Sequence, residues 1–318
     1  MKPVFALAFA LHLLSVPLAE ADTAEKIVTI YGSLRPEVIA RFPQSGDSAR
    51  RMDDGYSRVG IKGTAELGDD LSGFYKYERR VSANDGEDAG ATRGDHNELR
   101  QVHAGLSGSF GALSIGRHYG LYYDYIDDEL DRHRSHYSDA IVFGDLFVSD
   151  ALVYRSPEFG GGNFGLLVQF NDVDALGAAV DERIEVAGSY RYNGIALHAG
   201  YVNSPTHEGL FGLAASYRYQ RLNLVGVYQR IEPVKDAEQT LASLGADVDL
   251  TALNSVRLTL TTKTDGSNKD LDQVYLILGG DHQFSEHFML FVEFFRKSTE
   301  VAQANDESAL VSGFRFDF

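Results

Sequence analysis

The chain has 318 residues, a formal charge of −17 at pH 7 and no cysteine. The charge argues against a phosphate-binding surface, and so against nucleic acid as a partner, while the missing thiols exclude a disulfide framework. Thirty-two glycines, 17 tyrosines and 19 phenylalanines against 7 prolines fit many strands joined by tight turns.

Met1-Lys2-Pro3, an apolar run from Val4 to Ala19 and the step Ala19-Glu20-Ala21 open the chain. One positive charge, a short apolar core and a small-x-small site predict a secretory signal over residues 1–21, leaving residues 22–318 as one domain. The run is interrupted by Pro17 and falls short of the roughly 20 apolar residues that a spanning helix needs. No comparable run follows it.

From Ile27 onward, apolar and polar residues alternate with period two in segments of about ten residues, the length a tilted membrane-spanning strand requires. In chain order the segments lie at 27–38, 57–67, 71–80, 97–107, 111–119, 150–156, 164–170 and 183–191. They continue at 195–202, 210–219, 222–230, 238–250, 254–263, 272–283, 288–297 and 308–318. The last is the clearest: Leu310, Phe314, Phe316 and Phe318 share one face, and Arg315 and Asp317 take the other.

The connections alternate in length. Short ones lie at 68–70, 108–110, 157–163, 193–194, 220–221, 251–253 and 284–287, and longer polar ones at 39–56, 81–96, 120–149, 171–182, 203–209, 231–237, 264–271 and 298–307. Asn193-Gly194 is a strong two-residue hairpin signal because both positions tolerate positive φ. Short turns at one end and long loops at the other predict an all-β fold: a sixteen-stranded antiparallel transmembrane β-barrel with short periplasmic turns and long external loops. A soluble sandwich of this size would show irregular connections and Greek-key crossings instead.

Arg58, Lys62, Lys76, Glu78, Arg100, Arg183, Glu185, Arg218, Arg257, Arg315 and Asp317 fall opposite the apolar residues of their strands. If the apolar face meets lipid, the charged face must meet water, since an arginine at the bilayer midplane costs ~2–4 kcal/mol. A barrel of about sixteen strands is wide enough to hold an aqueous channel.

Four segments and the last residue carry a resemblance. They are Val28-Thr29-Ile30-Tyr31-Gly32; Ser57-Arg58-Val59-Gly60-Ile61-Lys62-Gly63 with Glu66-Leu67-Gly68; Phe110-Gly111-Ala112-Leu113-Ser114-Ile115-Gly116-Arg117; Tyr154-Arg155-Ser156-Pro157-Glu158-Phe159-Gly160-Gly161; and Phe318. With these the chain resembles the general bacterial porins of Gram-negative outer membranes over essentially its whole mature length. The resemblance implies a homotrimer in the outer membrane, among lipid and lipopolysaccharide, that passes small hydrophilic solutes and ions. It also implies that the barrel-assembly machinery reads Phe318, and that a third external loop, here Gly120–Ser149, folds into the barrel. In the family the acids of that loop face a basic wall across the constriction. The matching residues are Asp124, Asp127, Asp128, Glu129 and Asp131 on the loop, and Arg58 and Arg100 on the wall, with Lys62 and Lys76 on the same expected inward face.

Two departures from the family pattern stand out. Leu146-Phe147-Val148-Ser149-Asp150 lacks the usual sixth-strand arginine, so the basic wall is thinner and Asp150 adds an acid, which points to a weak cation preference. Gln101 and His103 fall on the expected outward face of the fourth strand, where a polar residue is tolerable against another protomer and costly against lipid.

The remaining candidate sites read as structural. His118, His133 and His136 match no metal-ligand spacing and read as solvated or pore-lining; Gly160-Gly161-Gly162 precedes no helix and reads as a turn. No nucleophile, base and orienter are singled out, so the expectation is a non-enzymatic channel without cofactor or metal. The alternatives are a substrate-selective outer-membrane channel with a solute-binding site and, behind it, an outer-membrane barrel enzyme.

Overall fold

The computed structural model describes residues 27–82, 99–170, 183–204, 207–233, 238–268, 272–299 and 306–318. The signal sequence expected at 1–21, most of the loop at 81–96 and the loop at 171–182 lie outside these residues.

The eighteen strand segments among the described residues belong to one antiparallel sheet. The first four are β1 (Ile27–Leu34), β2 (Pro36–Pro43), β3 (Ala49–Asp54) and β4 (Arg58–Gly68). Next come β5 (Leu71–Arg80), β6 (Leu99–Gly108), β7 (Gly111–Tyr119), β8 (Phe147–Arg155), β9 (Gly162–Gln169), β10 (Arg183–Tyr192) and β11 (Ile195–Ser204). The rest are β12 (His207–Tyr219), β13 (Leu222–Pro233), β14 (Gln239–Asp249), β15 (Asn254–Asp265), β16 (Gln273–Gln283), β17 (Phe288–Thr299) and β18 (Glu307–Asp317). They make sixteen wall strands, because β1 with β2, and β3 with β4, are each one strand broken at the same level. β1 pairs with β4, while β2 pairs with β3 on one side and with β18 on the other.

Pro36 has no N–H to give the ladder, which accounts for the break at Arg35. The opposite strand bends in register: Gly55 N–H donates to the Arg35 carbonyl (2.7 Å), Arg35 N–H to Ser57 Oγ (2.8 Å), and Tyr56 takes a φ of 69°. The expected loop at 39–56 is therefore wrong for most of its length, since strand structure runs to Pro43 and resumes at Ala49. The charges of this stretch looked loop-like, yet Val38, Phe42 and Met52 are exposed apolar residues that continue the alternation.

Closure occurs at the C-terminus. The Phe318 amide and carbonyl pair with the carbonyl and amide of Gly32 (3.1 and 2.9 Å), and Ser33 and Leu34 pair with Asp317 and Phe316. A Cβ on Gly32 would sit 2.4 Å from the Phe318 ring, so only glycine lets the last aromatic lie over β1.

The wall reverses the burial pattern of a soluble protein. Large apolar side chains are the exposed ones, with Leu244 at 70% and Ile30 at 68%, while Glu185 is 0% and Glu293 1% exposed. An outward apolar belt around a charged interior identifies a barrel in lipid rather than a sandwich in water. No helix among the described residues is long and apolar enough to cross a membrane; the chain crosses with strands.

Candidate functional site

The segment between β7 and β8 enters the barrel, as expected for the third loop, and ends at Leu146 because β8 already begins at Phe147. It starts with the short helix α1 (Leu121–Tyr125). Leu121, Tyr122, Ile126, Leu130 and Ile141 are fully or almost fully buried and cluster with inward Val153, Leu167, Val202, Leu210, Val225 and Val227. Burial of each large side chain stabilises the loop by ~1.5–3 kcal/mol. Glycine makes the seat: a Cβ on Gly212 would lie 2.3 Å from Tyr122 Oη, and one on Gly200 3.0 Å from Ile126 Cγ1.

Buried wall acids then hold the loop backbone. Glu185 Oε2 accepts from Tyr122 N–H (2.9 Å), and the two Glu293 oxygens accept from the amides of Arg134 (2.6 Å) and Ser135 (3.0 Å). These anchors were not singled out in the sequence, where Glu185 and Glu293 are two polar positions among many on strands.

Between the loop and the opposite wall lies a polar cavity of about 260 Å³. Arg35, Arg58, Arg100 and Arg315 line its wall side, and Asp124, Asp128 and Asp131 face them from the loop, with Asp139 and His133 completing the rim. Opposed rows of fixed charge across a narrow passage set up a transverse field, and such a field sorts solutes by charge and dipole.

The structure brings together part of the expected set. Arg58 and Arg100 are in the slot, and Arg100 also donates to buried Glu78 (2.7 Å) and to Tyr119 Oη (2.6 Å). Lys62 and Lys76 face the lumen but are not among the slot-lining residues; both lie over the Tyr31 ring, at 5.3 and 5.7 Å, and Lys76 is 3.8 Å from Glu78. Arg35 and Arg315 were missed as slot residues. Arg315 sat in the right alternation, and the Arg35-Pro36 pair was the available signal for a break that turns a side chain inward.

The five loop acids divide by the direction they face. Asp128 is exposed in the slot, and burial of its surroundings together with neighbouring Asp131, Asp124 and Glu129 raises its carboxyl to about 6. Asp124 is ion-paired to Arg155, and burial raises its pKa. Asp131 accepts from Tyr123 Oη (2.6 Å) and Ser138 Oγ (2.5 Å). Asp127 and Glu129 are not slot acids. Asp127 is wholly buried, accepts from Gln229 Nε2 (2.6 Å) and Gly144 N–H (2.8 Å), and is raised by burial to about 7. Glu129 meets His198 at 3.3 Å.

Further readings of the sequence need correction. Gln101 and His103 face inward: they pair with Glu78 and Lys76, and His103 stacks on His118 at 4.2 Å. A register shift between Glu78 and Arg79 puts buried Arg100 and Gln101 side by side on the inner face, which simple alternation cannot anticipate. His103 is therefore no protomer contact. Asp150 is exposed with φ of 51° and is not a slot-lining residue. His118, His133 and His136 are buried rather than solvated, although His133 also lines the slot; His133 bonds Thr259 Oγ1 (2.9 Å) and His136 bonds Glu37.

A family model for Gram-negative porins matches residues 6–301. The chain belongs to the Gram-negative porin family. Among curated porins it is 29% identical to the outer membrane porin protein OmpD of Citrobacter koseri, over 72% of this chain and 63% of that porin. It is 25% identical to the putative outer membrane porin protein NmpC of Escherichia coli K12, over 89% of this chain and 69% of that one. The chain thus spans less than two thirds of the length of that OmpD. Two solved porins share the fold. Salmonella typhi OmpF in complex with daunomycin has a TM-score of 0.76 and 19% identity, and the anion-selective porin from Comamonas acidovorans has 0.74 and 19%; each match covers 92% of this chain and 100% of the other. As a porin the protein belongs to the outer membrane.

Proposed function

We propose that this porin forms a water-filled channel for passive diffusion of small hydrophilic solutes and ions, with a weak cation preference. The observation that carries the reading is the slot itself, where loop aspartates confront wall arginines across an open polar cavity inside an apolar-clad barrel. Arg100 is compensated by Glu78 and Asp124 by Arg155; Arg35, Arg58 and Arg315 face Asp128 and Asp131, with Asp139, which accepts from Tyr56 Oη, on the rim. The slot is close to balanced, and the formal charge of −17 of the chain as a whole adds slight support for a cation preference.

The protein in this reading is exported with residues 1–21 removed, assembled by recognition of Phe318 and stable as a homotrimer among lipid and lipopolysaccharide. Liposome swelling with neutral sugars of increasing size tests passive diffusion. Rates should fall smoothly with size and rise linearly with concentration. Saturation by one solute would instead favour a substrate-selective channel with a binding site.

A further inference from the structure

We propose that Glu37, Asp53 and His136 form a divalent-metal site of the zinc class that staples the inner loop to the first two wall strands. The three side chains come from separate segments. Glu37 on β2 and Asp53 on β3 are direct cross-strand neighbours, and His136 opens the 3₁₀ turn His136–Ile141 of the inner loop. One ligand atom from each lies within 4.8 Å of the others.

The second observation is a buried vacancy in bonding. Glu37 is 1% exposed; one of its oxygens bonds His136 Nδ1, and the other, Oε2, has no hydrogen-bond partner among the described residues. An unsatisfied carboxylate oxygen at that depth is costly, and a bound cation would remove the cost. His136 is also buried, at 4% exposed, and Asp53 is half-buried. Asp53 spends one oxygen on the Asp54 amide (2.9 Å) and the other on Arg51 at 2.7 Å, so metal binding would draw Asp53 away from Arg51.

An imidazole nitrogen with two carboxylates suits zinc or cobalt, with water in the fourth position; calcium prefers six or more oxygens. The site sits three residues before Asp139 and five after Asp131, both slot-lining. An ion there would fix the part of the loop that sets the slot's acidic rim.

Calorimetric titration of the folded full chain, stripped with chelator, with Zn²⁺ alone tests the proposal. The expected result is one site per chain tighter than about 10 µM, weakened at least roughly tenfold by His136→Gln and by Glu37→Gln. Co²⁺ should give visible absorption bands that His136→Gln abolishes. Asp53→Asn leaves the contact between His136 and Glu37 in place, so it separates loss of metal from loss of fold, and it too should weaken Zn²⁺. Absence of a site in the wild-type chain, Zn²⁺ uptake unchanged in His136→Gln, or full binding in Asp53→Asn would each overturn the assignment.

Discussion

The inner loop has two flanks that meet two different walls. On the side of β9–β13 it is a small hydrophobic core: Leu121, Tyr122 and Ile126 press into a wall pared down to Gly200, Gly212 and short aliphatics. On the side of β1, β4 and β6 a gap lined by charge separates it from the wall, while on β18 Arg315 donates to the Arg134 carbonyl (2.9 Å) and Glu307 accepts from Tyr137 Oη (3.0 Å). Asp127 and Asp128 show the division at adjacent positions: one is buried and bonded to Gln229, the other exposed in the slot. The lesson is that the charged gap is a by-product of firm packing on the opposite side. A loop seated only by charge would have no fixed distance from the arginines.

The largest effect should come from disturbing the packed flank. Gly212→Val places methyl groups where Tyr122 and Ile126 already lie, and overpacking of this kind costs ~1–3 kcal/mol. The loop should move toward the arginine wall, and single-channel conductance should fall by about half or more. An unchanged conductance would mean that the packed flank does not set the gap.

The charged flank should respond in selectivity rather than in conductance. Arg58→Gln removes a wall charge and should raise the cation-to-anion permeability ratio, while Asp128→Asn should lower it. Each change is ~1 kcal/mol, or roughly fivefold, at the partial screening of a wet slot. Reversal potentials under a salt gradient measure both, and shifts of the same sign would break the account.

Smaller still is the effect of pH on the same measurement. Asp128 is raised to about 6, so acidifying from about pH 7.5 to about pH 5 should neutralise it and shift selectivity toward anions. Asp128→Asn should abolish most of that shift.

A separate effect, read in stability rather than in current, belongs to Asp127. Its carboxyl, raised by burial to about 7, holds a proton in the folded state that it would lose in the unfolded state above the ordinary aspartate range. The folded state therefore binds more protons between about pH 4 and about pH 7, and stability must decline as pH rises through that window. Thermal unfolding across it should show the decline in the wild type and a flatter profile in Asp127→Asn.

The fold was legible in the sequence, because lipid on one side and water on the other imposes strict alternation on almost every strand. The connection rhythm supplied the closure. Legibility failed where the backbone departs from alternation: at Arg35-Pro36, where both strands break, and at the register shift beside Arg79, which turns Gln101 inward with Arg100. In the slot, Arg58, Arg100, Asp124, Asp128 and Asp131 were found through the family resemblance. Asp127 and Glu129 carry the same charge in the same loop, and only the packing of α1 and the turn after it decides which carboxylate faces the wall. The anchoring roles of Glu185, whose inward face was expected, and of Glu293 were illegible for the complementary reason: their partners are loop amides, and an amide has no signature in sequence.

The most direct test of the central claim is the single-channel current of the purified protein in a planar bilayer under a KCl gradient. The account predicts stepwise ohmic openings, grouped in threes, with a reversal potential on the cation side that moves toward anions in Asp128→Asn. A correctly folded barrel that gave no openings, or openings indifferent to both Arg58 and Asp128, would contradict it.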